Sequence, residues 1–125
     1  MKLTANMEDY LEAVSFCSND DGVARVVDIR DMLGVKTPSV TGALKTLAAA
    51  GYVVHERYGG VTLTPKGKLA AEDVKKRHAL MSRFLIEVLG VSPKTANADA
   101  CRLEHVVSKE TLSKLHAYLQ KQTRK

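Results

Sequence analysis

Three side chains with metal-binding chemistry stand within five residues of one another in the stretch DACRLEHV, residues 99–106. Cys101 offers a thiolate, Glu104 a carboxylate and His105 an imidazole. On a helix they occupy positions i, i+3 and i+4, so all three project from one face. A packed helix face has no need of that trio, whereas a transition metal does. Three donors do not close a site. The further candidates are Asp9 and Glu12, again spaced i and i+3, and His78. Convergence of three helices would gather sulfur, nitrogen and carboxylate oxygen around one ion. Each residue also has a plainer reading. Asp9 can simply favour the positive end of its helix, and Glu12 can be solvated. His78 can extend the cationic run Lys75-Lys76-Arg77, and Cys101 can be a small core residue. His55, His116 and Cys17 lack comparable neighbours and read as structural.

The elements that must position these residues are marked by proline and glycine. All three prolines follow a hydroxyl residue, at Thr37-Pro38, Thr64-Pro65 and Ser92-Pro93. A hydroxyl cap followed by proline in the first turn predicts helices starting near 38, 65 and 93. A first helix is expected from about Met7 to Cys17, with Leu11, Val14 and Phe16 among its apolar positions. After a turn at residues 19–22, a short helix covers roughly Val27 to Leu33 and stops at Gly34. The next helix runs from Pro38 to Ala50. The period then changes, and YVVHERYGGVTLT reads as a hairpin. A long helix from about Pro65 to Leu89 and two more, near 93–106 and 109–121, complete a mainly α chain.

Helix, helix–Gly34–helix, hairpin is the order of a winged helix-turn-helix, whose second paired helix enters the DNA major groove. The helix after Gly34 has a suitable exposed face. Thr37, Ser39, Thr41, Gly42 and Lys45 are short or positive and allow close approach to DNA, while Val40, Leu44 and Leu47 form the opposite, packing stripe. Together with Lys36 and Pro38 they are the candidate contacts of this helix. Arg57 and Tyr58 in the wing, with Lys36, Lys66 and Lys68 around it, are expected at backbone phosphates. Taken alone, TPSVTGALKTL could be an ordinary capped surface helix. The hairpin and the charge distribution favour nucleic acid.

Net charge is +5 over 125 residues, and it is unevenly spread. Residues 1–35 carry 3 basic and 7 acidic groups, residues 36–77 carry 8 and 3, and residues 78–125 carry 8 and 4. The positive excess starts abruptly at Lys36, as suits a polyanionic partner. No apolar run approaches the roughly 18 residues of a membrane span, and the N-terminus lacks the apolar segment of a secretory signal. A cytoplasmic protein without a membrane partner is expected. Its two cysteines, Cys17 and Cys101, then read as free thiols or ligands. No nucleophile–base pair or phosphate-cradling glycine loop is evident, so neither an enzyme nor a small organic substrate is expected.

Five stretches carry a resemblance: MEDYLEAV, ARVVDIRDMLGVKTPSVTGALKTLAAAGYV, GGVTLTPKGKLAA, RHALMSRFLIEVLGV and DACRLEHVVSKETLSKL. In sequence and order the chain resembles the iron- and manganese-dependent transcriptional repressors of the diphtheria-toxin-repressor and manganese-transport-regulator type. The resemblance implies a winged helix-turn-helix DNA-binding domain over residues 1–72 and a helical metal-binding and dimerisation domain over 73–125. It implies a homodimer that binds a palindromic operator on double-stranded DNA when loaded with metal and so controls metal-homeostasis genes. Its ligand set, carried over by position, is Asp9, Glu12, His78, Cys101, Glu104 and His105, which coincides with the residues singled out above.

The chain departs from both branches of that family. Some iron-sensing members have methionine at the position of Asp9 but keep the cysteine, whereas manganese-sensing members have the aspartate and a carboxylate at the position of Cys101. A second metal site of the longer members needs glutamate and histidine where this chain has Ser82 and Asn97, so that site is not expected, nor is their SH3-like domain. A thiolate favours Fe(II) over Mn(II), while Asp9 and Glu12 suit harder ions. Fe(II) is therefore expected first, Mn(II) close behind, and Zn(II), Co(II) or Ni(II) able to bind in vitro. The rival reading is a winged-helix regulator whose thiols respond to oxidants.

Overall fold

The structure is a computed structural model that describes residues 3–56 and 60–123. Two compact units make up the chain, residues 1–73 and 74–125. Among the described residues no helix is long and apolar enough to cross a membrane.

In the first unit, helix α1 spans Ala5–Cys17. It starts two residues before the expected Met7 because the Thr4 hydroxyl accepts the Met7 N–H at 3.1 Å and caps the first turn. Its buried face is Tyr10, Leu11, Ala13 and Val14. Phe16, expected on that face, is exposed instead, since it falls two residues past Val14 and on the far side of the helix. Strand β1, Val23–Ala24, was not expected. A two-residue strand carries no periodic signal, and this one exists through its antiparallel pairing with Val61 and Thr62. Helix α2 (Val26–Leu33) ends at Gly34, which adopts the left-handed conformation (φ 66°, ψ 35°) and donates its N–H to Arg30 O at 2.9 Å. That cap makes the tight turn into helix α3, Thr37–Ala49. Lys36, and not Thr37, is the capping residue of α3, which places Thr37 and Pro38 together in its first turn.

Strands β2 (Val53–His55) and β3 (Val61–Leu63) form the expected hairpin, with Val53 opposite Leu63 and His55 opposite Val61. The sheet order is β1-β3-β2. One apolar core joins the helices to the sheet through Leu11, Val14, Ile29, Leu44, Leu47 and Val61. This is a winged helix-turn-helix.

Helix α4, Pro65–Arg83, begins at a joint that holds the end of α3. The Thr64 hydroxyl accepts the Gly67 N–H at 3.0 Å and lies 2.6 Å from Gly51 O, to which it donates. Lys66 donates to Ala50 O at 3.0 Å, and its ammonium sits 4.4 Å from the centroid of the Tyr52 ring. Lys66, expected near a phosphate, therefore also has partners within the fold. Its charge is engaged by the carbonyl end of α3, where a cation is favourable.

The second unit is helical. The long helix expected to reach Leu89 is α-helical only to Arg83, followed by a π-helical segment, Phe84–Val88. Leu89 N–H donates to Phe84 O at 3.3 Å across that wider turn. Helix α5, Pro93–Leu103, packs against the π-helical segment, and helix α6 spans Lys109–Thr123. Buried apolar residues here include Val74, Met81, Leu85, Ala96, Ala100 and Leu119.

Candidate metal centre and nucleic-acid interface

The exposed row of α3 comprises Lys36, Thr37, Pro38, Ser39, Thr41, Gly42 and Lys45, all at the surface. The buried side of the helix is Val40, Ala43, Leu44 and Leu47, so only Ala43 was missing from the expected packing stripe. A methyl group built on Gly42 would have nothing within 4 Å, so the backbone there is bare to an approaching surface. Thr41 donates its hydroxyl to Thr37 O at 3.1 Å, which orders the first turns of the exposed face. Arg57 and Tyr58, the expected wing contacts, lie outside the described residues.

Asp9 and Glu12 belong to α1 of the first unit, and both are half-buried. In the second unit four of the expected ligands come together. His78 projects from α4; Cys101 lies on the last turn of α5. That helix ends three residues earlier than expected, at Leu103, yet Glu104 keeps helical angles (φ −58°, ψ −25°) as its C-cap. The i, i+3 relation to Cys101 therefore survives the end of the helix, and His105 follows in the turn. His78 Nδ1 lies 2.9 Å from Glu104 Oε2 and 3.7 Å from Cys101 Sγ. His105 Nε2 lies 3.4 Å from Glu104 Oε1.

At 0% exposure, Glu104 is a fully buried carboxylate between two imidazoles with a thiol alongside. A buried carboxylate is costly unless it is paired or coordinates a cation. Sulfur, nitrogen and oxygen donors meeting at such a point fit a first-row divalent metal. Two features were missed by sequence reasoning. Arg77, read only as part of a cationic run, donates from Nη1 to the backbone oxygen of Glu104 at 2.7 Å. Ser82 and Asn97 hydrogen-bond to each other at 2.9 Å, a neutral link between α4 and α5.

Residues 2–61 match the family described as the iron dependent repressor N-terminal DNA binding domain, and residues 64–125 match its metal binding and dimerisation domain. The chain belongs to the iron-dependent repressor family. Members of this family are metal-dependent transcriptional repressors and not enzymes. Among the relatives of this repressor, an HTH-type transcriptional regulator of Methanocaldococcus jannaschii is 36% identical over 120 residues, covering 95% of this chain and 96% of that protein. The transcriptional regulator MntR of Salmonella typhimurium is 42% identical over 114 residues, covering 91% of this chain and 72% of its own length. Among solved structures, the manganese regulator SloR superposes with a TM-score of 0.81 at 28% identity over 96% of this chain. A manganese-dependent transcriptional repressor in complex with manganese gives 0.82 at 30% identity over 91%. The repressor spans 55% and 52% of the lengths of those two solved chains.

The remaining thiol of the repressor bears on the oxidant-sensing rival. Cys17, half-buried at the end of α1, sits 3.8 Å from Met32 Sδ. Burial, and then the negative charge of Asp28, push its thiol above the ordinary cysteine value. Thiolate is the reactive form, so a raised value slows oxidation and alkylation at neutral pH. In a Cys101→Ser background, Cys17 is expected to react with iodoacetamide more slowly than glutathione at pH 7. Its rate should climb with a midpoint above that of an ordinary cysteine. A fast reaction at pH 7 would revive the oxidant-sensing reading.

Proposed function

We propose that the chain is a homodimeric, metal-activated repressor that binds a palindromic operator when loaded with Fe(II) or Mn(II). The proposed domains are a DNA-binding domain over residues 1–72 and a metal-binding dimerisation domain over 73–125, acting in the cytoplasm. The observation that carries the reading is Glu104, a fully buried carboxylate held between His78 and His105 in a chain that also displays a bare-backed recognition helix.

The proposed ligands are Asp9, Glu12, His78, Cys101, Glu104 and His105. A bound cation supplies the positive charge that compensates these carboxylates. Asp9 and Glu12 are carried by the helix on which the recognition helix packs, whereas the other four belong to the dimerising half. Joint coordination would restrain one half against the other and so set the spacing of the two recognition helices in the dimer. Operator half-sites lie a fixed number of helical turns apart, so that spacing decides affinity. Linkage then requires DNA to tighten metal binding by the same factor that metal tightens DNA binding. The proposed DNA contacts are Lys36, Thr37, Pro38, Ser39, Thr41, Gly42 and Lys45 on α3, with Arg57 and Tyr58 in the wing. Among metals, the Cys101 thiolate places Fe(II) ahead of Mn(II), with Zn(II), Co(II) and Ni(II) able to occupy the site in vitro.

The test is fluorescence anisotropy of labelled promoter DNA from a metal-uptake gene, at fixed salt and without oxygen. The chelated protein is titrated first, then the protein with Fe(II), Mn(II) or Zn(II). Metal is expected to tighten binding at least tenfold, with Fe(II) effective at a lower free concentration than Mn(II). Equal affinity with and without metal would overturn metal activation.

A further inference from the structure

We infer that Arg77 is a positioning residue for the metal centre, an inference that rests on the metal-dependent reading above. Its guanidinium Nη1 donates to Glu104 O at 2.7 Å, a short bond with a charged donor. That oxygen belongs to the peptide unit joining Glu104 to His105, so one hydrogen bond grips the link between two proposed ligands. The backbone leaves this oxygen open to a side chain. Glu104 N–H goes to Ala100 O at 2.9 Å, while the N–H groups of Val106 and Val107 both go to Leu103 O at 3.1 Å. Helix ends leave such carbonyls to be satisfied from outside the helix, and here the donor comes from α4.

Arg77 also directly precedes His78, whose Nδ1 lies 2.9 Å from the Glu104 carboxylate. The residue pair 77–78 on α4 therefore clasps the pair 104–105 twice, once through backbone and once through side chains. With the peptide unit gripped, the Glu104 carboxylate is held between the His78 and His105 imidazoles before any cation arrives. The guanidinium charge also sits at the carbonyl end of α5, where a cation is favourable. Loss of this bond leaves every donor in the sequence but frees the turn that carries two of them.

The experiment measures Co(II) and Mn(II) affinity of the full chain, without DNA, by competition with a chromophoric chelator. Wild type, Arg77→Met and Arg77→Lys are compared. Arg77→Met is expected to bind both metals about 10- to 100-fold more weakly, the range usual for an outer partner that orients a ligand. Arg77→Lys, which keeps a charged donor, should recover much of the loss. At saturating Co(II) the d–d bands of Arg77→Met should differ from wild type, reporting an altered ligand field. A mere loss of stability would leave the saturated spectrum unchanged. Should Arg77→Met not fold, Arg77→Gln carries the same reading: weaker binding supports the inference, and wild-type affinity overturns it. Wild-type affinity and spectrum in Arg77→Met overturn the inference alone, whereas a wild-type protein that binds neither metal overturns the function reading beneath it.

Discussion

Replacing Glu104 by glutamine is expected to abolish the metal response of operator binding in a protein that still folds. Glutamine keeps the volume of the side chain, and its amide can still hydrogen-bond to His78 Nδ1, now 2.9 Å from the carboxylate. What it lacks is the negative charge, and a cation held partly by that charge loses a principal donor. Since disturbing an outer partner alone costs about 10- to 100-fold in affinity, losing a central ligand should cost about 100-fold or more. That is about 2.7 kcal/mol of binding free energy at 25 °C. The same loss must appear in the coupling between metal and DNA, because the two affinities are linked. Chelator competition reads the first effect and anisotropy with and without Mn(II) reads the second. A Glu104→Gln protein whose DNA affinity still rises with metal would remove Glu104 from the site.

Gly67→Ala is expected to destabilise the winged unit severely, against the usual trend for helices. In an open helix, alanine is better than glycine by about 1 kcal/mol. Gly67 lies in the first turn of α4, where an ideal Cβ would stand 1.9 Å from Tyr52 O and 3.2 Å from a Leu63 methyl. The carbonyl has little freedom to retreat. It accepts the Thr64 N–H at 3.0 Å, and the Tyr52 N–H is itself committed to Leu47 O at 2.9 Å. Backbone would have to give way on both sides of the joint, which costs about 3 kcal/mol or more and outweighs the propensity gain. In a unit of this size that lowers Tm by about 10 °C or more. Gly42→Ala is the contrasting case. Open space surrounds its Cβ, so thermal stability should rise slightly while operator affinity falls, because the helix can no longer approach DNA as closely. Thermal unfolding followed by circular dichroism compares the two. A Gly67→Ala protein as stable as wild type would show that the joint yields.

The regular elements were legible because each has a local cause. Proline after a hydroxyl residue marked the start of α4, where Thr64 does cap the first turn. Gly34 marked the end of α2 because a left-handed cap there needs no Cβ. The spacing of Val40, Leu44 and Leu47 indicated which side of α3 is buried. The residue types of the candidate metal centre stood out for a related reason, since a thiol, a carboxylate and an imidazole at helical spacing suit a metal. β1 was not legible, because two residues acquire strand character only when β3 lies beside them. The π-helical segment at Phe84–Val88 was hidden as well, for no spacing of the local apolar residues announces a wider turn.

The sequence by itself determined the order of the α-helices and the hairpin, the exposed face of α3 and which side chains are candidates to hold a metal, because these depend on neighbours within one turn. Only the tertiary structure decided which of the cationic residues have work elsewhere. Lys66 donates to the carbonyl end of α3, and Arg77 holds the backbone of a proposed ligand 27 positions away. It also decided that Glu104 is buried between two histidines, although the helix carrying it stops one residue before it. The physical reason is common to all three. A long side chain finds its partner in space, and the partner's position is set by packing between elements that no local pattern encodes.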